Sequence, residues 1–518
     1  MTVDQRAGGP VRWCDNMGGK SFRMSQQSVV GGNASDHRGS VGFWAAISVG
    51  ALLLRIALLP LGPRYGYTAD HDDNVRWGIQ ATDEGILTLY DHPPPQRDMR
   101  VWDGTKWKTA RRQLDRLCNY PPLSADLLYV SGLVFKQVSA DRLINTVTSR
   151  TVFAGWSILA DFLLALGCAA LVAHFSTARA GRWTYLIMLL APPFWWDTVG
   201  WGQMDTVFLA PVVWMVWAMV RQRWILAGVL YGLAAMVKPQ AILLLALWAF
   251  ATMVHRPVWK VLLGLAASAA VAFAISLPFT LHGGFAWLNA SYIDNLLHAY
   301  PATTLKAFNV WYLDLLLCES DDVTRPIAGI AKDSMGRVML VVALAVGLAR
   351  MIRRWGREPR ALVLWTLWVL LACVMLPTRV HERYLLLALP LLMVAAMVWR
   401  SLWPGLALLL VVATAQVAWP LWIQADPGGW EQFERRAAEK HAAWLATLEP
   451  QQRASAPSLA KYLAPARREY LALRARTAAY EWALVGLALA GAVYTAVGML
   501  LLKPRKIKTL KGSRAGRC

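Results

Sequence analysis

Twelve apolar stretches, most of them close to the length of a bilayer crossing, punctuate this 518-residue chain and leave no room for a soluble fold. A hydrocarbon core of about 30 Å takes roughly 20 residues of helix. The stretches lie at 42–62, 151–173, 183–197, 205–220, 224–237, 239–254, 258–281, 335–352, 362–377, 384–400, 402–422 and 479–502, several of them short. At 56% hydrophobic and 16% charged residues, the chain carries more apolar surface than a globular core of this size buries, and disordered, collagen-like and disulfide-scaffold classes are excluded. The expected fold is an all-α polytopic membrane protein of about twelve transmembrane helices.

The net charge of +21 would point to nucleic acid in a soluble protein. Here it follows the membrane instead. Basic residues collect in 1–42, at Arg179/Arg182, Arg221/Arg223 and Arg256/Lys260, in the cluster Arg350 to Arg360, and in the tail from Lys503 to Arg517. With twelve spans all of these fall on one side, together with both termini, and the positive-inside rule makes that side cytoplasmic. The expected organisation is a cytoplasmic polar tail (1–41), a membrane catalytic module (42–422), an external helical segment (423–478), a last span (479–502) and a basic cytoplasmic tail (503–518). The first span reads as a retained anchor, because the leader before it is too long for a cleaved signal peptide. Loop 63–150 is external and too long for a connector. Within it Leu123 to Val138 reads as a helix on the membrane surface, since a span there would invert every later loop. Segment 430–478 reads as two or three surface helices broken at Pro450 and Pro457, and 97–115 has no reading. Six isolated cysteines offer no zinc spacing.

Once orientation is set, the short polar motifs gather on the external face. They are Thr68 to Asp73, Asn119 to Leu123, Gly200 to Asp205, Lys238-Pro239-Gln240, Lys306 to Trp311 and His381-Glu382-Arg383. Singly, a Lys or Arg at a span end snorkels to the headgroups. Together, carboxylates, a Lys, a His and an Arg at one interface suit a substrate with a phosphate head and a lipid tail. A carboxylate can serve as general base on a hydroxyl, and Lys238 with Arg383 can stabilise charge on a departing phosphate. Asp72 and Asp73 read first as solvated loop charges, and Asp205 equally as a helix cap. Glu382 reads as a partner of Arg383, and His381 as a structural imidazole. Arg55 and Asp161 lie within one turn of the same depth in the first two spans, at ~1.5 Å per residue. An unpaired charge there costs about 2.5–3.5 kcal/mol, so a structural ion pair is expected between them.

These motifs resemble those of GT-C membrane glycosyltransferases, close to the bacterial mannosyltransferases related to the second mannosyltransferase of GPI-anchor assembly. More distantly, the chain is similar to the dolichyl-phosphate-glucose-dependent glucosyltransferases of N-glycan precursor assembly. The resemblance runs from about residue 45 to 420. It rests on Asp70 with Trp77 seven residues on, Tyr120 to Leu123, Arg150 with Asp161, Gly200 to Gln203 with Asp205, Lys238 with Gln240, Asn309 with Trp311, and Val380 to Arg383. It implies a GT-C fold, Asp70 as catalytic base, and substrate contacts from Tyr120, Gln203, Asp205, Lys238, Gln240, Asn309, Trp311, His381, Glu382 and Arg383. It also implies a polyprenyl-phosphate sugar donor, inversion at the anomeric carbon, and catalysis without metal or other cofactor. Trp201-Gly202 stands where the glucosyltransferases have His, so the sugar does not carry over.

The expectation is a hexosyltransferase, for mannose before glucose, passing sugar to a lipid or glycan hydroxyl on the non-cytoplasmic face. No nucleic-acid partner is expected. Composition rich in Ala, Trp and Arg leans towards a bacterial plasma membrane and an undecaprenyl-type donor. The rivals are a transporter or flippase of a lipid-linked substrate, and an oligosaccharyl- or protein O-mannosyl-type transferase, for which Asp70, Asp72 and Asp73 leave a metal open. No internal repeat favours the transporter.

Overall fold

The computed structural model describes residues 34–91, 96–102, 107–113, 117–298, 302–320, 322–418 and 429–504. The chain divides into two compact units, Met1–Ala46 and Ile47–Cys518, and the candidate site lies in the second. The longer helices are α1 (Ala34–Leu58), α2 (Thr68–Asp83), α3 (Pro122–Val138), α4 (Val147–Phe175), α5 (Ala178–Leu190), α6 (Asp205–Val220), α7 (Trp224–Val237), α8 (Leu245–Val254), α9 (Val258–Gly283), α10 (Val310–Cys318), α11 (Lys332–Arg354), α12 (Arg360–Met375), α13 (Leu389–Val398), α14 (Trp403–Ala418), α15 (Gly429–Ala446) and α16 (Leu459–Leu501). The protein is an all-α polytopic membrane protein. Among the described residues, six helical runs are long and apolar enough to cross a bilayer: Gly42–Tyr65, Val147–Phe175, Val258–Gly283, Lys332–Arg354, Arg400–Ala418 and Leu459–Leu501. Helix occupies the other six apolar stretches too, in shorter pieces such as Asp205–Val220 and Trp224–Val237. Phe273 and Val341, both 64% exposed, belong to the outward apolar surface that a membrane would cover.

Helices α6 and α7 set the site's depth. Their 16 and 14 residues span about 24 and 21 Å at ~1.5 Å per residue, less than a bilayer core of about 30 Å. The two pack side by side. Helix α7 also crosses α9 at backbone contact, where a Cβ on Gly228 would sit 1.8 Å from the Gly264 carbonyl oxygen. No larger residue fits there, which is how small residues bring membrane helices together. The end of α7 is then tied to α3, whose Ser124 hydroxyl donates to the Val237 carbonyl at 2.8 Å.

The long first loop is folded. The stretch Leu123 to Val138 is helical, as part of α3, and packs on α2 through a cluster including Val75, Trp77, Tyr120 and Leu128. Asp72 and Asp73, read from sequence as loop charges, lie on α2. Between the two helices an antiparallel hairpin joins Gln96–Trp102 to Trp107–Gln113, in register from Gln96↔Gln113 to Trp102↔Trp107. That hairpin covers most of 97–115, which has no reading from sequence; the Asp103-Gly104 dipeptide is its available signal. The expected boundary at 478/479 falls within one continuous helix. Helix α16 runs through it for 43 residues, about 64 Å at ~1.5 Å per residue, with Pro465 inside it and an Arg474–Glu481 ion pair across the boundary.

Candidate active site

Asp70 occupies the first turn of α2, after an extended Tyr67. Arg150, buried at the start of α4, fastens this turn in place. Its Nη2 donates to the Tyr67 carbonyl at 3.1 Å, its Nη1 to the Gly200 carbonyl at 2.6 Å, and its Nε to Asn145 Oδ1 at 2.9 Å. One guanidinium therefore holds together the two segments that carry Asp70 and Gln203. Gly202 turns the second segment inward with φ +68°, a left-handed conformation that glycine adopts without cost. Asn74 Nδ2 donates to its carbonyl at 3.0 Å. The His71 ring packs beside it, and burial, then the Arg150 charge, holds that imidazole well below its usual range.

The turn delivers Gln203 to Asp70. Gln203 Nε2 donates to Asp70 Oδ2 at 2.5 Å, and the Tyr120 hydroxyl donates to Gln203 Oε1 at 3.0 Å, which fixes the orientation of the amide. Arg383 Nη1 lies 3.1 Å from the same Asp70 oxygen. Asp70 is still 25% exposed and lines a cavity of about 460 Å³. A carboxylate anchored through one oxygen at the wall of a cavity is well placed to receive a proton.

Two cations line the same cavity, Lys238 and Arg383. Helix α7 ends because Lys238 precedes Pro239 and takes an extended conformation. Its Nζ donates to Asp205 Oδ1 at 2.7 Å, with Asp205 opening the adjacent α6. Arg383 Nε lies 3.4 Å from Asp205 Oδ2, and its Nη1 lies 3.2 Å from Glu382 Oε1. Asp205 makes no side-chain cap; its carboxylate pairs with Lys238 and Arg383 instead, a contact outside both of its sequence readings. Lys238 lies 5.8 Å from the Tyr120 ring centroid, and Arg383 lies 5.6 Å from that of Trp201. His381 lines the cavity and its Nδ1 is 3.8 Å from Glu382 Oε2. The entry to the 3-10 turn Glu382–Leu387 is braced by backbone bonds from Leu305 N to the Val380 carbonyl and from Glu382 N to the Leu305 carbonyl, both 2.9 Å.

The structure therefore brings together Asp70, Tyr120, Gln203, Asp205, Lys238, Gln240, His381, Glu382 and Arg383. It does not bring Asn309 and Trp311 with them. Asn309 caps α10, accepting from the backbone of Trp311 and Tyr312 at 3.0 and 3.2 Å, and the Trp311 indole donates to the Leu376 carbonyl at 2.6 Å. Three residues went unread in the sequence. Tyr384 and Asn295 line the cavity, Tyr384 accepting from Gln240 Nε2 at 2.6 Å. Asp197 is fully buried below, with neither carboxylate oxygen hydrogen-bonded. Tyr384 adjoins a motif and Asp197 interrupts an apolar run, so both left a trace. Arg55 and Asp161 are paired inside the helices, Nε to Oδ2, at 2.7 Å. Among the described residues no group of three or more His, Cys, Asp or Glu could hold a metal ion.

Asp72 faces away from these contacts with Oδ1 buried and unbonded. Burial raises its pKa from 3.8 to about 6, against the opposing charges of Arg76 and Arg150 and with help from Asp73. A folded pKa above the unfolded value makes ionisation destabilising. The cost is absent below about pH 4, grows as pH rises through about 6, and is complete above it. Asp72→Asn should raise thermal stability at pH 8 by about 1–2 kcal/mol, discounted for partial exposure, and leave it nearly unchanged near pH 3.5. Thermal unfolding in detergent at both pH values checks this, and an equal shift at both would refute it.

No curated protein matches the chain at significance. A protein-family model does, Glycosyltransferase family 87, over residues 119–377. The matched half includes Tyr120, Gln203, Asp205, Lys238 and Gln240, and leaves Asp70 and His381 to Arg383 outside it. Because that match spans half of its residues, the chain belongs to glycosyltransferase family 87.

Proposed function

We propose that this glycosyltransferase is of the GT-C type and moves a hexose, mannose before glucose, from a polyprenyl-phosphate donor to a hydroxyl on the non-cytoplasmic face. Asp70 takes the proton from the acceptor hydroxyl as that oxygen attacks the anomeric carbon. The bond to the phosphate oxygen breaks, and the polyprenyl phosphate departs with the bonding electrons on its oxygen. The observation that carries this reading is one cavity lined by a partly exposed carboxylate, Asp70, and the cations Lys238 and Arg383. Attack on the face opposite the leaving group would invert the anomeric carbon. Nucleotide sugars are a cytosolic resource, so transfer on the far face calls for a lipid-carried sugar.

Lys238 and Arg383 are held by Asp205, Asp70 and Glu382 before any substrate arrives. Such preorganised cations stabilise phosphate charge as it grows without reorganising at the moment of reaction. Lys238→Ala should therefore lower kcat/KM by about 10²–10³-fold, with kcat falling as well as donor affinity, because the phosphate charge is greatest in the transition state. The test is transfer of radiolabelled mannose from undecaprenyl-phosphate mannose to extracted membrane lipids and glycans by the purified protein in liposomes. No transfer from either a mannosyl or a glucosyl lipid phosphate would overturn the proposal, and a lipid-linked sugar translocated across the liposome instead would replace it with transport.

A further inference from the structure

Helices α6 and α7 meet, at the end away from Asp205 and Lys238, in the tight turn Arg221-Gln222-Arg223. Their 16 and 14 residues place that turn about 24 and 21 Å from Asp205 and Lys238, at ~1.5 Å per residue. Gln222 N donates to the Met219 carbonyl at 2.9 Å and Arg223 N to the Ala218 carbonyl at 2.8 Å, which closes the turn. Gln222 takes φ +56° where helix ends usually place glycine. All three side chains are exposed. Arg221 and Arg223 lie over one ring, their guanidinium carbons 5.8 and 5.5 Å from the Trp217 centroid. A third guanidinium, Arg360, lies 5.6 Å from the Phe175 ring at the end of α4, and the charges of Arg221 and Arg360 both reach His174. Other arginines on this face close helix ends: Arg256 donates to the Thr252 and His255 carbonyls, Arg350 to that of Leu500 and Arg357 to that of Val254. Among the described residues, no carbonyl or carboxylate accepts a bond from the Arg221 or Arg223 guanidinium. Arg223 is moreover the N-cap of α7, where the helix dipole disfavours a cation. The positive-inside rule accounts for arginine on this face. It does not account for two guanidiniums without hydrogen-bond partners converging on one tryptophan.

We infer that the Arg221-Gln222-Arg223 turn, with Arg360 beside it, binds the phosphate of an anionic membrane phospholipid on the face remote from Asp70. Guanidinium forks match phosphate oxygens two at a time, and an anion here offsets the cation at the start of α7. An apolar strip leads from the turn into the bilayer. The Trp217 and Trp214 rings meet edge to face at 5.4 Å, and the Trp214 indole donates to the Leu163 carbonyl at 2.9 Å. Leu163 and Leu166, on the same helix, are 44% and 42% exposed. Tryptophan favours the headgroup level, and basic pockets between helices at the cytoplasmic surface suit anionic headgroups. A lipid can therefore set its phosphate on the arginines while its acyl chain follows the strip; free phosphate has nothing to lay there. The turn is the far end of both helices that carry Asp205 and Lys238, so the bound lipid fastens that pair to the membrane surface.

Native mass spectrometry of the full-length protein in detergent, titrated with phosphatidylglycerol or phosphatidylcholine, reads the binding without any need for turnover. Wild type should bind phosphatidylglycerol about tenfold or more tightly than phosphatidylcholine. In the double variant Arg221→Gln/Arg223→Gln, at two exposed positions, the phosphatidylglycerol Kd should rise about 30-fold, the equivalent of about 1 kcal/mol for each arginine at the membrane surface. Arg256→Gln/Lys260→Gln removes the same charge from the next loop on this face and should change that Kd by less than about threefold, because separated surface charges are screened. No weakening in the first variant, or equal weakening in both, would overturn the inference, since the attraction would then be general. Displacement of phosphatidylglycerol by glycerol phosphate at equal concentration would also overturn it, in favour of free phosphate. Photo-crosslinking of wild type with phosphatidylglycerol carrying a diazirine in its headgroup needs no variant. Adducts within 217–226 support the site, and adducts confined elsewhere overturn it.

Discussion

Asp70→Asn should abolish sugar transfer, with kcat/KM falling by about 10²–10⁴-fold, the usual worth of a positioned general base. The substitution keeps the side chain's size and its scaffold. An asparagine can turn its carbonyl oxygen toward Gln203 Nε2, which donates to Asp70 Oδ2 at 2.5 Å in the native site. What it cannot do is accept a proton. It also leaves Arg383 Nη1, 3.1 Å from that oxygen, without its charge partner there. The neighbouring carboxylates provide the comparison. Asp73 lines the cavity and lies 3.6 Å from Arg76, while Asp72 makes no contact with Gln203 or Arg383 in the structure. Asp72→Asn and Asp73→Asn should each retain activity within about tenfold, since neither removes the base. Single-turnover transfer from undecaprenyl-phosphate mannose, measured on the three purified variants, decides it. An active Asp70→Asn beside an inactive Asp72→Asn or Asp73→Asn would reassign the base. A Gln203→Leu variant adds a further check, because it leaves the Asp70 carboxylate chemically intact and removes only its hydrogen-bonded support.

Much of this site was legible in the sequence because a bilayer makes the reading coarse. Twelve apolar stretches can only be helices, and the structure has helix in each. Basic loops then sorted the polar motifs to one face, so Asp70, Gln203, Asp205, Lys238 and Arg383 could be grouped without coordinates. Contacts that depend on a local turn were not legible. Asn309 sits in a motif, yet it caps α10, and only the backbone conformation of Asn309 itself distinguishes a cap from a substrate ligand. The amide of Gln203, grouped with substrate contacts, bridges Tyr120 and Asp70, a link that no motif spells out. Arg150 was read with Asp161 because the two recur in one motif. In three dimensions Arg150 binds the Tyr67 and Gly200 carbonyls, and Asp161 binds Arg55. Charges eleven residues apart along a helix lie on the same face but about 16 Å apart at ~1.5 Å per residue, too far to pair directly. Helix α16 runs through the change in composition near 478, because helical propensity continues across it.

Arg55 and Asp161 should prove far more sensitive one at a time than together. Arg55 Nε is 2.7 Å from Asp161 Oδ2, and both side chains are essentially inaccessible. Arg55 Nη1 also donates to the Ala51 and Leu189 carbonyls at 3.1 and 3.2 Å, and the Thr198 hydroxyl donates to Asp161 Oδ1 at 3.0 Å. The pair thus joins α1 to α4 and reaches α5. Removing one member leaves the other charge buried with no counter-ion, a loss of about 3–5 kcal/mol, comparable to the whole stability margin of many folded proteins. Arg55→Leu or Asp161→Leu alone should therefore give little folded protein by fluorescence-detected gel filtration. The double variant leaves no charge behind, and replacing a buried pair with apolar side chains is often neutral or stabilising. It should recover most of the yield, and its transfer rate should lie near wild type because neither residue lines the cavity. Losses in the double that simply add would remove the case for coupling. A double variant that folds well and transfers no sugar would move Asp161 from scaffold to catalysis.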